Sequence, residues 1–304
     1  MTATVTQPRT TTTLRRTTPS RPVTAPRRSV ALALVMLVLV LYTLMPLAYL
    51  IINATKTSDD FFRTFGLGFG THFNLWQNLR SVFTYHGGVY GRWFANTVLY
   101  VVAGAGGATA LATAAGYAIA KMNFPGRRSV LAVVLVAIAV PGTAIALPTF
   151  LLFSALNLTD TPWAVILPSL ISPFGLYLMW TYAAEAVPTE LLEAARIDGA
   201  SELRTFLSIA LRLLAPGVVT VLLFSVATTW NNYLLPLIML SNPRWYPLTV
   251  GLSQWNAQVT GTDPQPIQTL VITGSLVAII PIVAVFLLLQ RYWQSGLAAG
   301  SVKQ

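Results

Sequence analysis

The chain has 304 residues, of which 55% are hydrophobic and 9% charged, and its mean hydropathy is +0.65. Soluble domains carry roughly 25% charged residues, so this composition excludes an ordinary soluble domain and places the chain in a bilayer. The absence of cysteine rules out disulfides and thiolate metal sites, and the net charge of +10 acquires meaning only once the charges are located.

Residues 1–28 are rich in Thr, Arg and Pro and hold no acid, so they cannot bury a core and are expected to form a disordered basic tail. Six apolar stretches follow that meet or approach the length needed to cross the hydrocarbon, at about 29–53, 95–120, 129–153, 162–184, 216–240 and 267–290. They are continuous runs and not short alternating segments, which predicts an all-α polytopic protein with six transmembrane helices. The first run is longer than a signal peptide's apolar region, and the "LIINATKTSDD" that closes it offers no convincing small-residue cleavage site, so it is read as a retained span. In span two, Gly104, Ala108, Ala112 and Gly116 recur every four residues and draw a stripe on which another helix packs closely. The local "GAGG" is no phosphate loop, because GxxxxGK[ST] occurs nowhere in the chain. Pro141, Pro148, Pro168, Pro173 and Pro281 lie inside spans three, four and six, and each frees a carbonyl and kinks its helix. Such breaks serve either simple bundle geometry or a translocation path along a water-lined cavity.

With the N-terminus inside, 14 of the 19 Lys and Arg fall on the cytoplasmic side: six in the tail, three after span two, three after span four and two at the C-terminus. The positive-inside rule therefore explains the basicity, and without interleaved aromatic platforms no nucleic-acid partner is expected. His72 and His86 both lie between spans one and two, and HExxH, GxSxG and paired intramembrane carboxylates are all missing, so no catalytic residue is assigned. No acid falls inside a span except Glu185 at the edge of the fourth, which disfavours a proton-driven carrier. A sodium site of backbone carbonyls stays open.

Between spans four and five, "EAARIDGASELRTFLSIALRLLAPG" runs from Glu193 to Gly217 with charge of both signs on a helical pattern. Pro188 suits the first turn of a helix, Gly199 the left-handed position that ends it, and Ser201 the cap of a second helix. In that second helix Leu203, Phe206, Leu207, Ala210 and Leu213 form an apolar stripe, with Glu202, Thr205 and Arg212 off it. By pattern alone it serves equally as a helix lying on the membrane surface or as a knob for a soluble partner.

Glu193, Ala194 and Ala195, then Asp198, Gly199 and Ala200, then Ile209 and Leu211 resemble the EAA motif of the permease subunits of ATP-binding-cassette importers. "NTVLYVVAGAGGATALATAAGYAIAKMNFPGRR", "WNNYLLPLIMLSNPRWYPLTVGL" and "QRYWQSGLAAGSVKQ" are similar to span two, span five with its external loop, and the C-terminal tail of the carbohydrate branch, in particular the shorter permease of the maltose type. The resemblance runs from about residue 29 to 304. Two positions depart from the family pattern: Arg212 stands where the motif usually ends in Leu-Pro, and Asn232 where sugar permeases often carry an acid.

The resemblance implies a type I importer permease fold over 29–291 with a coupling loop at about 186–214, between the tail 1–28 and a cytoplasmic tail 292–304 that extends along the ATPase pair. It implies a bacterial inner-membrane protein with both termini cytoplasmic, forming half of a sugar-translocating pore. Its partners would be a second, different permease subunit, two cytoplasmic ATPase subunits that hold ATP and Mg, and an extracytoplasmic sugar-binding protein. No cofactor is expected on this chain. Aromatic faces and amides suit sugars, so Tyr177, Trp180, Trp230, Asn231, Asn232 and Tyr233 are candidates to line the path, although Trp and Tyr near span ends also serve as interface anchors. The competing reading is a self-sufficient secondary carrier or channel for a small polar solute.

Overall fold

A computed structural model describes residues 29–260 and 267–300, and every regular element among them is helical. The tail 1–28, residues 261–266 and the last four residues lie outside the described part. Two units are distinguished, one ending at Met45 and one beginning at Pro46. The described part of the first is an uncharged run of helix, exposed on all sides from Val30 to Met45. It belongs to α1, Val30–Ala54, which contains Pro46.

In the second unit, two short helices follow, α2 (Ser58–Arg63) and α3 (Leu75–Thr84). The long α4 spans Val89–Lys121 with a π turn at Val101–Ala105, and leads to α5 (Arg127–Ala139) and α6 (Gly142–Ala155). Span four is built of α7 (Trp163–Ser169) and α8 (Pro173–Ala186). Then come α9 (Thr189–Ile197), α10 (Glu202–Trp230), α11 (Leu234–Met239), α12 (Leu248–Thr260) and α13 (Gln268–Gly300).

Five of these helical runs are long and apolar enough to cross a membrane, and the bent pair α5 and α6 makes a sixth if taken as one broken span. The break in that pair is 106°. Its cause is Pro141, which disfavours the helical region for Val140 and leaves that residue extended at φ −80°, ψ 122°. Pro173 acts likewise on Ser172, whose hydroxyl then accepts the Gly175 N–H at 3.2 Å and caps α8.

Span five differs from the expected 216–240. Its helix begins at Glu202, because the Ser201 hydroxyl caps it and a π turn at Phe206–Ala210 carries it straight into the span, past Arg212. It ends at Trp230, where the Asn231 amide turns back to the Ala227 carbonyl at 2.8 Å; the remaining apolar residues form the separate α11.

The small-residue stripe of α4 packs on span four. A Cβ at Gly104 would lie 2.8 Å from Ser169 Cβ, and one at Gly116 2.7 Å from Met179 Cβ and 2.8 Å from the Trp180 backbone nitrogen. Polar contacts fix the alternation of the spans. Lys121, ending span two, donates to the Ala184 carbonyl near the end of span four at 3.0 Å. On the opposite face the Asp160 N–H after span three donates to the Met239 carbonyl after span five at 2.9 Å.

Candidate coupling loop and transport cavity

Helix α9 closes on a Schellman motif. Gly199 has φ +78°, its N–H donates to the Arg196 carbonyl at 3.0 Å, and the Ala200 N–H donates to the Ala195 carbonyl at 2.9 Å. Ser201 starts the next helix at once, and the Arg196 guanidinium reaches across the turn to Glu202 at 2.8 Å. That hydrogen bond and the Glu202 charge raise the Arg196 pKa. The hydrogen-bonded partner of Arg196 is Glu202; the exposed Glu193 carboxylate acts on Arg196 only through its charge.

The EAA residues divide by side. Glu193, Ala194, Asp198 and Gly199 are exposed, Ala200 is half-buried, and Ala195 is buried with Leu192. Leu192 belongs to one core with Ala112 and Tyr117 of α4, Met179 and Ala183 of α8, and Leu214 of α10. The stripe expected along the second helix is redrawn, since Leu203 and Leu207 face outward while Thr205 is buried. The π turn is the reason: its extra residue shifts the register between the first turn of α10 and the span.

The path candidates separate. Tyr177 and Trp180 are half-buried on α8 with ring centroids 5.7 Å apart, and Trp180 opens on a cavity bordered by Asn123, Arg127 and Arg128. Trp230 is a core residue: it is buried with Trp93, Leu248 and Trp255, and Phe94 meets it edge-on at 6.3 Å. Asn231 is occupied by the Ala227 carbonyl, and the Tyr233 hydroxyl lies 2.9 Å from Ser253 Oγ.

Asn232 is different. It lines a cavity of about 380 Å³ with Ser169, Ser172, Ser225, Thr228 and Thr229, and a larger adjoining apolar one of about 790 Å³. Chain breaks border this cavity at Gly142, which starts α6, at Ser172 and at Asn232 itself. Broken helices are tolerated at membrane depth only against protein or a water-lined cavity, and this cavity is lined by hydroxyls and one amide with no charge. The sequence reading missed the hydroxyls, although Ser225, Thr228 and Thr229 fall at i, i+3 and i+4 on one helix face, with Asn232 at i+7 just past the helix end.

Spans broken at shared points, a small-residue helix seam and an exposed helix–turn–helix between spans four and five define a multi-pass helical membrane transport component. Residues 109–298 match the family model described as "Binding-protein-dependent transport system inner membrane component", and the chain belongs to that family. It is 31% identical over 275 residues to the arabinooligosaccharides transport system permease protein AraQ of Bacillus subtilis, covering 90% of this chain and 95% of that protein. It is 28% identical over 261 residues to the lactose transport system permease protein LacG of Rhizobium radiobacter, covering 86% of this chain and 91% of that protein. Its fold is that of a chain in the crystal structure of a bacterial ABC transporter involved in the import of the acidic polysaccharide alginate. The TM-score is 0.75 at 22% identity, over 87% of this chain and 95% of the other.

Proposed function

We propose that this chain forms half of the pore of an ATP-driven, binding-protein-dependent sugar importer, and that α9 with the first turns of α10 is the knob through which cytoplasmic ATPase subunits drive it. The observation that carries this reading is the two-sided construction of α9. Ile197 is 87% exposed on a helix end that also exposes Glu193 and Asp198, while Leu192 on the other side is locked into the core of α4, α8 and α10. An apolar side chain left open at a helix end calls for a soluble partner. Glu190, Glu193 and Asp198 make the same surface a poor match for anionic lipid. Because the knob shares a packed core with three spans, a push on α9 moves those spans together.

ATP and Mg belong to the ATPase subunits in this scheme, and closure of their dimer would tilt the bundle from inward-open to outward-open. A second permease subunit supplies the other half of the pore, and an external binding protein delivers the sugar. The termini and the knob are cytoplasmic, as the Lys and Arg asymmetry requires. The uncharged hydroxyl cavity around Asn232 fits the hydroxyls of a carbohydrate, in keeping with the oligosaccharide and lactose permeases among its relatives. A proton-driven carrier would need a titratable group there, and the cavity lining has none.

The test is co-expression of the tagged chain with its neighbouring transport subunits, pull-down of the ATPase, and uptake of radiolabelled arabino-oligosaccharide and lactose. Ile197→Asp and Glu193→Lys are expected to leave the chain inserted and paired with the second permease but to lose the ATPase and uptake. Retention of the ATPase with unchanged uptake in both variants overturns the coupling role.

A further inference from the structure

The segment between α1 and α4, with the last turn of α1, buries an unusual set of polar side chains: Lys56 is fully enclosed, and Asn53, Asp60 and Asn78 are nearly so, while Asp59, Arg63, His72, Gln77 and Arg80 stay exposed. Each buried group satisfies backbone or hydroxyl groups of the same segment. Asn53 Nδ2 donates to the Tyr49 and Gly66 carbonyls at 2.8 and 2.7 Å, and Lys56 Nζ to the Phe65 carbonyl at 3.0 Å. Asn78 Nδ2 donates to the Ala54 and Lys56 carbonyls, both at 2.8 Å. Asp60 accepts the Thr71 N–H at 3.2 Å and its hydroxyl at 2.9 Å. The aromatic side chains point the other way. Phe62, Phe65, Phe69, Phe73 and Trp76 are 65 to 78% exposed. In water the hydrophobic effect favours the opposite arrangement, and isolated soluble proteins rarely show so dense an exposed apolar patch.

We propose that this aromatic shell seats the segment in the interfacial layer of the bilayer, on the membrane face where α1 ends. Continuity with a helix long and apolar enough to cross the bilayer points to lipid as the occupant. α1 is an uncharged, predominantly apolar helix of 25 residues, enough at about 1.5 Å each to cross the hydrocarbon, and α2 begins four residues after its last residue, so the segment starts at headgroup level. Gly66, between Phe65 and Phe69, lies against the Tyr49 ring of α1, where an added Cβ would be 3.0 Å away. Tyr49 and Ile51 are themselves exposed on α1, so the shell continues the exposed apolar surface of the span. Trp is enriched at the headgroup boundary, and Trp and Phe line the buried face of segments lying in the interface; the exposed charges beside the shell are Asp59 and Arg63, paired at 2.9 Å, and Arg80, which borders the same surface as Trp76.

The chain has no cysteine, so single cysteines can be introduced without removing any other. Phe65→Cys, Phe69→Cys and Phe73→Cys, each at an open position, are labelled with a nitroxide in the complete transporter. The labelled transporter is reconstituted in phosphatidylcholine and phosphatidylglycerol vesicles. Collision rates with oxygen and with a water-soluble nickel chelate are measured and calibrated with spin-labelled lipids. The expected result is oxygen accessibility well above nickel accessibility at all three positions, with depths at or just below the headgroups. Free collision with nickel overturns the proposal, because the shell then faces water. Protection from both reagents also overturns it, because the shell is then covered by the second permease or the binding protein.

Discussion

The carboxylate of Asp160 accepts the backbone N–H groups of both Ser241 and Asn242, at 2.9 and 2.8 Å, and so ties the loop after span three to the loop after span five. The loop after span five is held from a second direction by one face of α4. Trp93 Nε1 donates to the Pro243 carbonyl, Asn96 Nδ2 to the Arg244 and Tyr246 carbonyls, and the Tyr100 hydroxyl to the Trp245 carbonyl. Residues three and four positions apart on a helix share a face, so a single face of α4 fixes the backbone of the loop that leads into α12. Asp160→Ala removes two charge-assisted acceptor contacts at a partly wet site, a loss of about 1 kcal/mol, since water takes over part of the bonding. Asp160→Asn keeps one acceptor oxygen and tolerates the φ of +57° at this position, so it is expected to lose less. Trypsin cleavage at the exposed Arg244 in purified transporter is the readout, with rates rising in the order Asp160, Asn, Ala.

The seam between α4 and α8 makes a sharper prediction. At Gly116 a Cβ would come within 2.7 to 2.9 Å of Met179 and Trp180 atoms, most of them backbone, which cannot swing aside as a side-chain end would. Gly106, on the same helix, has nothing within 4 Å of its Cβ position. Gly116→Val is therefore expected to force the helices apart and destabilise the permease by at least the 1–3 kcal/mol or so typical of overpacking. Gly106→Ala should leave the thermal midpoint in detergent within a degree or two of the parent. Equal effects at the two positions would remove the seam from the account of span packing.

Spans one, two, four and six were legible in the sequence because burial in lipid and burial in protein both select continuous apolar runs. The bend in span three was legible at its place, through Pro141, but not in its angle, which depends on what α5 and α6 pack against. Span five was misplaced because hydropathy senses apolar length alone, whereas its ends are set by the Ser201 cap and the Asn231 amide. Gly199 was readable because a glycine just past a helical run favours the left-handed turn that ends it, and its φ is +78°. Trp230 was not, since a Trp beside two amides reads the same whether it faces a cavity or a neighbouring Phe94. The hydroxyls of Ser225, Thr228 and Thr229 left a readable spacing, but Ser and Thr in spans also bond back to their own helix, as Thr228 does to Phe224 and Ser225 at 3.0 Å.

That polar stripe yields a prediction about transport. Asn232 carries the one amide in the lining of the hydroxyl cavity, and among the described residues no group hydrogen-bonds to its side chain. If sugar hydroxyls pass there, Asn232→Leu should lower the maximal uptake rate roughly 10-fold or more, the scale of about 1.4 kcal/mol for one lost hydrogen bond to a passing ligand. Trp230→Phe, a change within the aromatic core, should lower thermal stability first and uptake only in proportion to the folded fraction. Normal uptake by Asn232→Leu would take the cavity out of the path.

Orientation follows from charge. Asp160 and Met239 share one face while Lys121 and Ala184 share the other, and the second face carries the basic clusters Lys121, Arg127 and Arg128. The positive-inside rule then predicts an Asn157 loop outside and a C-terminus inside. Alkaline phosphatase and fluorescent-protein fusions at Asn157 and Gln304 should report opposite sides. Finding both on one side breaks the alternation of six spans.

Gly199 allows the coupling role to be separated from simple packing. Its φ of +78° lies in the left-handed region, and the space around a Cβ there is empty within this chain, so a small substituent meets no clash of its own. What remains is the backbone term, about 1 kcal/mol for Ala and less for Asn, which adopts this conformation more readily. The Schellman turn sets the angle between α9 and α10, and through Leu192 that angle is referred to the core of the bundle. Sugar-stimulated ATPase activity in proteoliposomes should therefore fall in the order Gly199, Asn, Ala, with pull-down of the ATPase following the same order and insertion unchanged. Asp, which tolerates the same φ but adds a charge to the exposed knob, should fall below Asn if the knob sits in a protein cleft. Should Asn and Asp behave alike, the turn matters for its shape alone and its surface touches no partner.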